Sequence, residues 1–271
     1  MSRIAATFER LKSNNRKALI PYITAGDYTP ELTVPLMHAM VEAGANIIEL
    51  GVPFSDPMAD GPVIQKAAER ALEHNVSLRD VFEMVKAFRM QDKRTPVILM
   101  GYLNPIEAMG YAEFASAAAN AGVDGVLTVD MPPEEGGECI PLLREQGVDP
   151  IFLIAPTSTA ARIASLVSNA SGFVYYVSLK GVTGAGHLDV EGAAEKLKSI
   201  RQVTDLPLGV GFGIRDAETA VAIGKEADAI IVGSAIVKKI EEGAGNPALI
   251  TANIVAMLSS IRGALDQSIP N

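Results

Sequence analysis

The sequence has little cysteine, little histidine and no excess of positive charge, and each shortage argues against a class of function. The single cysteine, Cys139, excludes an intramolecular disulfide framework. A nucleophilic Cys139 would need a base beside it, but His38, His74 and His187 are scattered and form no recognisable Cys/His constellation. We therefore interpret Cys139 as an ordinary helix residue. The formal net charge of −9 argues against a nucleic-acid or anionic-membrane partner.

Long apolar runs are also missing. No stretch reaches the roughly 18 consecutive apolar residues that a membrane-spanning helix requires. Residues 1–22 carry charged side chains throughout and contain no apolar core of the kind found in a signal peptide. A single cysteine suits a reducing compartment. These features predict a soluble, cytoplasmic protein.

What is present is a regular alternation of short apolar runs and longer helical patterns over 271 residues, close to the length of about 250 that one barrel domain needs. The runs are short and apolar throughout, as expected for strands covered on both faces by crossover helices. The predicted strands are Ala18–Ile23, Ile47–Leu50, Pro96–Met100, Gly125–Leu127, Pro150–Ile154, Phe173–Val177, Pro207–Val210 and Ala229–Val232. The predicted helices are Glu31–Ala43, Pro62–Glu73, Leu78–Met90, Tyr111–Ala121, Glu135–Glu145, Thr159–Ser168, Val190–Ile200, Ala217–Ile223 and Pro247–Ile261.

Eight β-then-α units predict an α/β protein with a (β/α)8 TIM-barrel fold, because an open doubly wound sheet usually has fewer strands. Residues 1–13 read as an extra amphipathic helix that precedes the first strand and closes the bottom of the barrel. No linker or low-complexity tract divides the chain, so residues 1–271 are predicted to form one domain.

Glu49 is the first candidate for chemistry, since it lies within the apolar run of the second predicted strand. A carboxyl group there either points into the mouth of the barrel or is badly placed. Desolvation in the barrel would raise its pKa towards neutrality, which suits a group that both gives and takes a proton. The alternative is a structural ion pair with a lysine or arginine.

Asp60 is the second candidate and lies in the loop that follows, which three prolines stiffen. Paired with Glu49, Asp60 could be a second acid/base group. It could equally cap the next helix, which begins near Pro62.

Glycine-rich turns follow the last three predicted strands. The segment around Gly184 has the composition of a mobile loop that closes over a substrate. The turns at residues 211–213 and 233–234 lie where barrels frequently bind phosphate, although a single such turn is weak evidence. Acid/base groups early in the chain and phosphate-binding turns late predict an enzyme that acts on a phosphorylated small molecule.

The chain resembles the tryptophan synthase α-subunit family over about residues 1–265. The segment ELGVPFSDPMADGPVIQ, which begins at Glu49, is highly specific to that family. It is joined in order by PYITAGD, MGYLNP, GVLTVDMPPEE, KGVTG, GFGI and GSAIVK. The resemblance implies a (β/α)8 barrel and the retro-aldol cleavage of indole-3-glycerol phosphate to indole and glyceraldehyde 3-phosphate, a lyase step of tryptophan biosynthesis.

The resemblance also implies a role for each matching residue. Glu49 is the proton donor and acceptor, Asp60 stabilises the indole nitrogen, and Tyr175 supports the aspartate. The implied phosphate site is Gly184, Phe212, Gly213, Gly233 and Ser234; the implied indole pocket is Tyr22, Met100, Leu127 and Val129; the implied mobile loop includes Lys180, Gly181 and Thr183. Many family members have an arginine where this chain has Leu179.

The resemblance implies no metal and no organic cofactor in this chain, but it implies a partner. That partner is a pyridoxal-phosphate-dependent β subunit, in an α2β2 heterotetramer. The implied contact surface includes Pro53, Asp56, Pro57, Tyr102 and Asn104. Two alternatives stay open: another phosphate-binding barrel enzyme, which would use a strand-end lysine, and a non-catalytic activating subunit, which should have lost Glu49 or Asp60.

Overall fold

The computed structural model describes residues 2–177, 190–211 and 213–268. The predicted loop residues Leu179, Lys180, Gly181, Thr183 and Gly184 lie outside these ranges, as do His187 and Phe212.

Eight parallel strands form a closed barrel in the order of the chain, which confirms the predicted (β/α)8 fold. The strands are β1 (Ala18–Thr24), β2 (Ile48–Gly51), β3 (Val97–Gly101), β4 (Gly125–Thr128), β5 (Asp149–Ile154), β6 (Val174–Val177), β7 (Leu208–Gly211) and β8 (Ala229–Val232). Strand β1 pairs with both β2 and β8, and this pairing closes the sheet.

Helices surround the strands. They are α1 (Arg3–Ser13), α2 (Pro30–Glu42), α3 (Pro62–Glu73), α4 (Leu78–Arg89), α5 (Leu103–Met109), α6 (Tyr111–Ala121), α7 (Cys139–Glu145), α8 (Ala160–Asn169), α9 (Val190–Arg201), α10 (Ala217–Gly224), α11 (Ser234–Glu242) and α12 (Pro247–Gln267).

Sequence reasoning missed helices α5 and α11 and misplaced two helix ends. Helix α7 begins at Cys139 instead of Glu135, because residues 133–138 form turns that include two glycines. Helix α12 continues past the predicted end at Ile261. Helix α5 is too short to show a helical period, and α11 follows its strand so closely that we took the start of the helix for a turn.

Alternation along the strands separates an inner from an outer face. The inner cluster contains Ile20, Ile47, Ile98, Leu127, Ile151, Phe173 and Ile231. The side chains between them, such as Leu19, Ile48 and Leu99, face the helices and belong to the main core. Chemistry inside the barrel is therefore confined to every second residue of each strand.

Helix α1 closes one end of the barrel, as the sequence predicted. Its buried side chains Ile4, Phe8 and Leu11 join the inner cluster, and the Phe8 ring lies 5.8 Å from the Phe173 ring. Arg3 of the same helix donates to Asp124, at the N-terminal end of β4, at 2.8 Å. The plug thus lies at the end of the barrel opposite the strand C-termini.

The same end is tied together by side chains that precede the strands. Three side-chain oxygens each accept a backbone N–H from the neighbouring strand: Asn46 from Leu19 at 2.9 Å, Asp124 from Val97 at 2.8 Å and Asp228 from Leu208 at 2.8 Å. Glycines lie just before two of these side chains, and Gly44 and Gly122 adopt φ of 105° and 88°. A side chain is strained at such φ values, so glycine is required for these turns.

Among the described residues, one helix, α12, is long and apolar enough to cross a membrane by length and composition. Its residues Ile250, Ile254 and Leu258 are fully buried, and the helix packs against α10 and α2. The apolar face of α12 is accounted for by this packing.

We predict that Phe8→Ala lowers the free energy of unfolding by about 3–5 kcal/mol, because it removes a buried ring and leaves a cavity at the bottom of the barrel. Glu9→Ala, on the exposed face of the same helix, is the matched control and should change it by less than about 0.5 kcal/mol. Urea denaturation followed by circular dichroism measures both. Equal stabilities for the two variants would show that α1 is not part of the core.

Candidate active site

Glu49 lies on the inner face of β2, level with Tyr22 of β1 and Ile98 of β3. Its side chain is 2% exposed, and burial, with a further contribution from the charge of Asp60, raises its pKa to about 8. Within the described part of the chain no lysine or arginine is paired with it, so the alternative of a structural ion pair is not supported. A carboxyl group with this pKa is largely protonated at neutral pH and can donate a proton.

Asp60 lies in the loop between β2 and α3, and its carboxylate accepts a hydrogen bond from the Tyr102 hydroxyl at 3.0 Å. The Ala59 N–H in turn donates to the Tyr102 oxygen at 3.0 Å. Burial raises the pKa of Asp60, and the Tyr102 hydrogen bond opposes that rise. The N-cap of α3 is Gly61, followed by Pro62 at N1, so the side chain of Asp60 does not cap this helix.

Two tyrosines border Glu49 from the inner faces of other strands. A Cβ at Gly211 would overlap the ring and hydroxyl of Tyr175, and a Cβ at Gly51 would overlap those of Tyr22. Burial, with a further contribution from the negative charge of Asp60, raises the pKa values of both phenols, so both keep their protons. The Tyr22 hydroxyl lies 3.1 Å from the Thr24 hydroxyl.

A narrow crevice opens beside Asp60 and Tyr22. Its lining includes Asp60, Tyr22, Met100, Val129, Phe54 and Tyr102. Three of the four residues expected to surround an indole ring therefore meet here. Leu127 does not reach the crevice: it is fully buried in the inner cluster, two residues before Val129 on the same face of the barrel.

The expected phosphate residues that the structure describes lie at the ends of β7 and β8. Gly213 has φ of 72°, and Gly233 is the N-cap of α11, with Ser234 as its first residue. The first N–H groups of a helix have no partner within it and favour an anion. Missing α11 in the sequence meant missing this feature, although the buried positions Ile236, Val237 and Ile240 have helical spacing.

The residues expected at a partner surface have unequal exposure. Asp56 and Asn104 are exposed, Pro57 is half-buried, and Pro53 and Tyr102 are buried. Tyr102 holds Asp60 instead of facing solvent, a role that sequence reasoning did not assign. Its position directly after β3 was the only available signal, since strand C-termini face the catalytic end of such a barrel.

Cys139 is buried in α7, where burial raises the pKa of its thiol to about 11. A thiol in this state is a poor nucleophile. In the described ranges, no group of three or more His, Cys, Asp and Glu side chains is placed to bind a metal ion.

Nearly the whole chain is similar to proteins of one known family. The family model of the tryptophan synthase alpha chain matches residues 8–265. The tryptophan synthase alpha chain of Thioalkalivibrio sulfidiphilus is 65% identical over 98% of this chain and 100% of its own length. That of Methylococcus capsulatus is 59% identical over 98% of this chain and 100% of its own.

Solved structures of tryptophan synthase also resemble this chain. The crystal structure of tryptophan synthase subunit alpha from Legionella pneumophila str. Paris has a TM-score of 0.92 and 46% identity, covering 98% of this chain and 99% of that one. A structure of Mycobacterium tuberculosis tryptophan synthase has a TM-score of 0.88 and 38% identity, covering 97% and 98%.

We predict that Glu49→Gln stabilises the fold increasingly as pH rises. The native carboxyl holds its proton up to about pH 8, whereas the unfolded chain releases it near the ordinary value of 4.5, so Glu49 costs stability between these pH values. The gain should be negligible at pH 4 and on the order of 3 kcal/mol at pH 7.

Urea denaturation at pH 4, 5.5, 7 and 8 measures this difference. Glu69→Gln, on the exposed face of α3, is the matched control and should show little change at any of these pH values. A difference between Glu49→Gln and the parent that does not grow with pH would contradict a raised pKa.

Proposed function

This chain belongs to the tryptophan synthase alpha chain family, and on that premise we propose that Glu49 and Asp60 carry out the proton chemistry of its reaction. The reaction is the cleavage of indole-3-glycerol phosphate to indole and glyceraldehyde 3-phosphate, and the chain is a carbon–carbon lyase of tryptophan biosynthesis. The observation that carries the proposal is the buried carboxyl group of Glu49, whose pKa is raised by burial and by the charge of Asp60, together with the Asp60 carboxylate that accepts a hydrogen bond from Tyr102.

Glu49 serves twice in one turnover. It first gives its proton to C3 of the indole ring, because the ring is a poor leaving group until C3 is protonated. The resulting carboxylate then takes the proton of the hydroxyl on the carbon attached to C3. As that O–H bond breaks, its electrons form the aldehyde, the carbon–carbon bond breaks, and its electrons restore neutral indole. Glu49 ends the cycle protonated, as it began.

Asp60 stabilises the cation that exists between these two steps. Protonation at C3 leaves positive charge on the indole nitrogen, and a carboxylate beside that nitrogen lowers the energy of the intermediate. The Tyr102 hydroxyl donates to Asp60 and so favours its ionised form. Tyr175, on the inner face of β6, supports the aspartate and the glycerol chain.

We place the phosphate at Gly213, Gly233 and Ser234, with Gly184 and Phe212 completing the site. The N-terminus of α11 supplies unpaired N–H groups and the positive end of a helix dipole. A net charge of −9 is compatible with an anionic substrate, since this contact needs no positive side chain. Tyr22, Met100 and Val129 form the walls around the indole ring, above Leu127.

A chain of this family works with a β subunit, which carries the pyridoxal phosphate; the α chain has no cofactor of its own. We propose an α2β2 heterotetramer in the cytoplasm, with indole passing to the β subunit. The contact would use residues 53–60 and the segment from Tyr102 to Pro105. The exposed Met58, Asp56 and Asn104 support this surface.

Family membership removes the alternative of another phosphate-binding barrel enzyme. A non-catalytic activating subunit is not supported either, because both carboxyl groups are present and lie at one end of the barrel.

We predict that Glu49→Gln and Asp60→Asn each lower kcat for indole release by roughly 10²–10⁴-fold, because an amide can neither deliver the proton nor neutralise the ring nitrogen. Both should fold. Spectrophotometric detection of indole, with and without the β subunit, measures the loss, and Glu69→Gln should keep full activity. If Glu49→Gln retains a tenth or more of parental turnover, Glu49 is not the proton donor.

We predict that Gly233→Ala weakens binding of glycerol 3-phosphate by about tenfold with little loss of stability. The added Cβ would meet only Tyr22, at 3.7 Å, while it crowds the anion at the start of α11. Gly263→Ala, which meets nothing within 4 Å, is the matched control on α12. Isothermal titration gives both dissociation constants; equal values would place the phosphate elsewhere.

We predict that glycerol 3-phosphate tightens association with the β subunit. If docking holds residues 53–60 in their working geometry, binding at the two sites is linked and must be reciprocal. Titration of the two subunits with and without glycerol 3-phosphate measures the linkage. An identical dissociation constant in both conditions rules it out.

A further inference from the structure

The two helices that follow the two halves of the proposed site lie side by side. Helix α3 begins two residues after Asp60, and α11 begins at Ser234. The two helices pack against each other and against β1. Between them lies a small cluster of its own, in which Ala67 of α3 and Val237 of α11 meet Tyr22. The distance between the acid/base loop and the phosphate turn therefore depends on how these helices are held.

One side chain, that of Arg70, contacts both a loop residue and the neighbouring helix. Arg70, in the last turn of α3, donates to both carboxylate oxygens of Asp27, from Nε at 2.6 Å and from Nη2 at 3.0 Å. Asp27 is 3% exposed and lies in the loop after β1. Arg70 Nη1 also lies 3.8 Å from Glu241, in the last turn of α11. Three elements thus meet at a single side chain.

The position of α3 is passed on to Asp60 by a second polar contact. Gln65, in the first turn of α3, donates to the backbone oxygen of Asp60 at 2.8 Å and to that of Pro57 at 3.3 Å. A shift of α3 would therefore displace the loop that carries the Asp60 carboxylate. A shift of α11 would displace the N–H groups at Ser234.

We propose that Arg70 is a positioning residue that fixes the spacing between Asp60 and the phosphate turn at Gly233–Ser234. Arg70 touches neither the reacting atoms nor the phosphate; it acts through α3 and α11. The bidentate geometry matters, because a planar guanidinium fixes the direction of the pair, whereas an ammonium group acts as a point charge. The proposal rests on the phosphate site proposed above.

The decisive variant is Arg70→Lys. It keeps a positive charge beside the buried Asp27 but cannot bond both of its oxygens and also reach Glu241. We expect kcat/KM for indole-3-glycerol phosphate to fall about tenfold, less than the roughly 10²-fold cost of a 1 Å misplacement. We expect the dissociation constant of glycerol 3-phosphate to rise several-fold. The double variant Asp27→Asn/Arg70→Gln, which leaves no buried charge unpaired, should show larger changes in the same direction.

Two controls separate positioning from stability. Arg79→Lys alters an exposed arginine paired with Glu113 on the protein surface, and it should leave both constants unchanged. Phe8→Ala lowers stability at the far end of the barrel, and at a temperature where circular dichroism shows it folded it should also bind glycerol 3-phosphate normally. Parental constants in folded Arg70→Lys would overturn the positioning role. An unchanged constant in Gly233→Ala would instead contradict the phosphate site itself.

Discussion

The buried carboxyl group of Glu49 is the constraint on which the active end of the barrel depends. An ionised carboxylate at this depth would require a cation or several N–H donors, and the barrel interior supplies apolar side chains and two phenols instead. The group therefore keeps its proton. The rings of Tyr22 and Tyr175 fit because the adjacent strand residues, Gly51 and Gly211, have no side chain that would overlap them.

The second carboxyl group, that of Asp60, has a different environment from that of Glu49. Two acids in similar surroundings would share one proton without distinct roles, but Tyr102 donates to Asp60 alone and favours its charged form. That charge in turn raises the pKa of Glu49. In the mechanism that we propose, these different environments make Glu49 the proton donor and Asp60 the carboxylate that stabilises a cation.

The strands, the plug helix and the position of Glu49 were predictable because each follows from local pattern. Short apolar runs that alternate with helical patterns located all eight strands to within one residue at each end. The role of Tyr102 was not predictable, since its contact with Asp60 spans 42 residues of sequence and depends on how two loops fold together. The helix at Ser234 was mistaken for a turn because the glycine that directly follows β8 is also the helix N-cap.

The two ends of the barrel differ in how their buried polar groups are paired. At the plugged end, the Asp124 carboxylate accepts hydrogen bonds from Arg3, Arg89 and a strand N–H. At the other end, Glu49 is buried without a cation among the described residues, and the first N–H groups of α11 have no partner within their helix. Arg70 belongs to both ends of this division, since its pair with the buried Asp27 is satisfied within the fold and its helix, α3, follows the loop that carries Asp60.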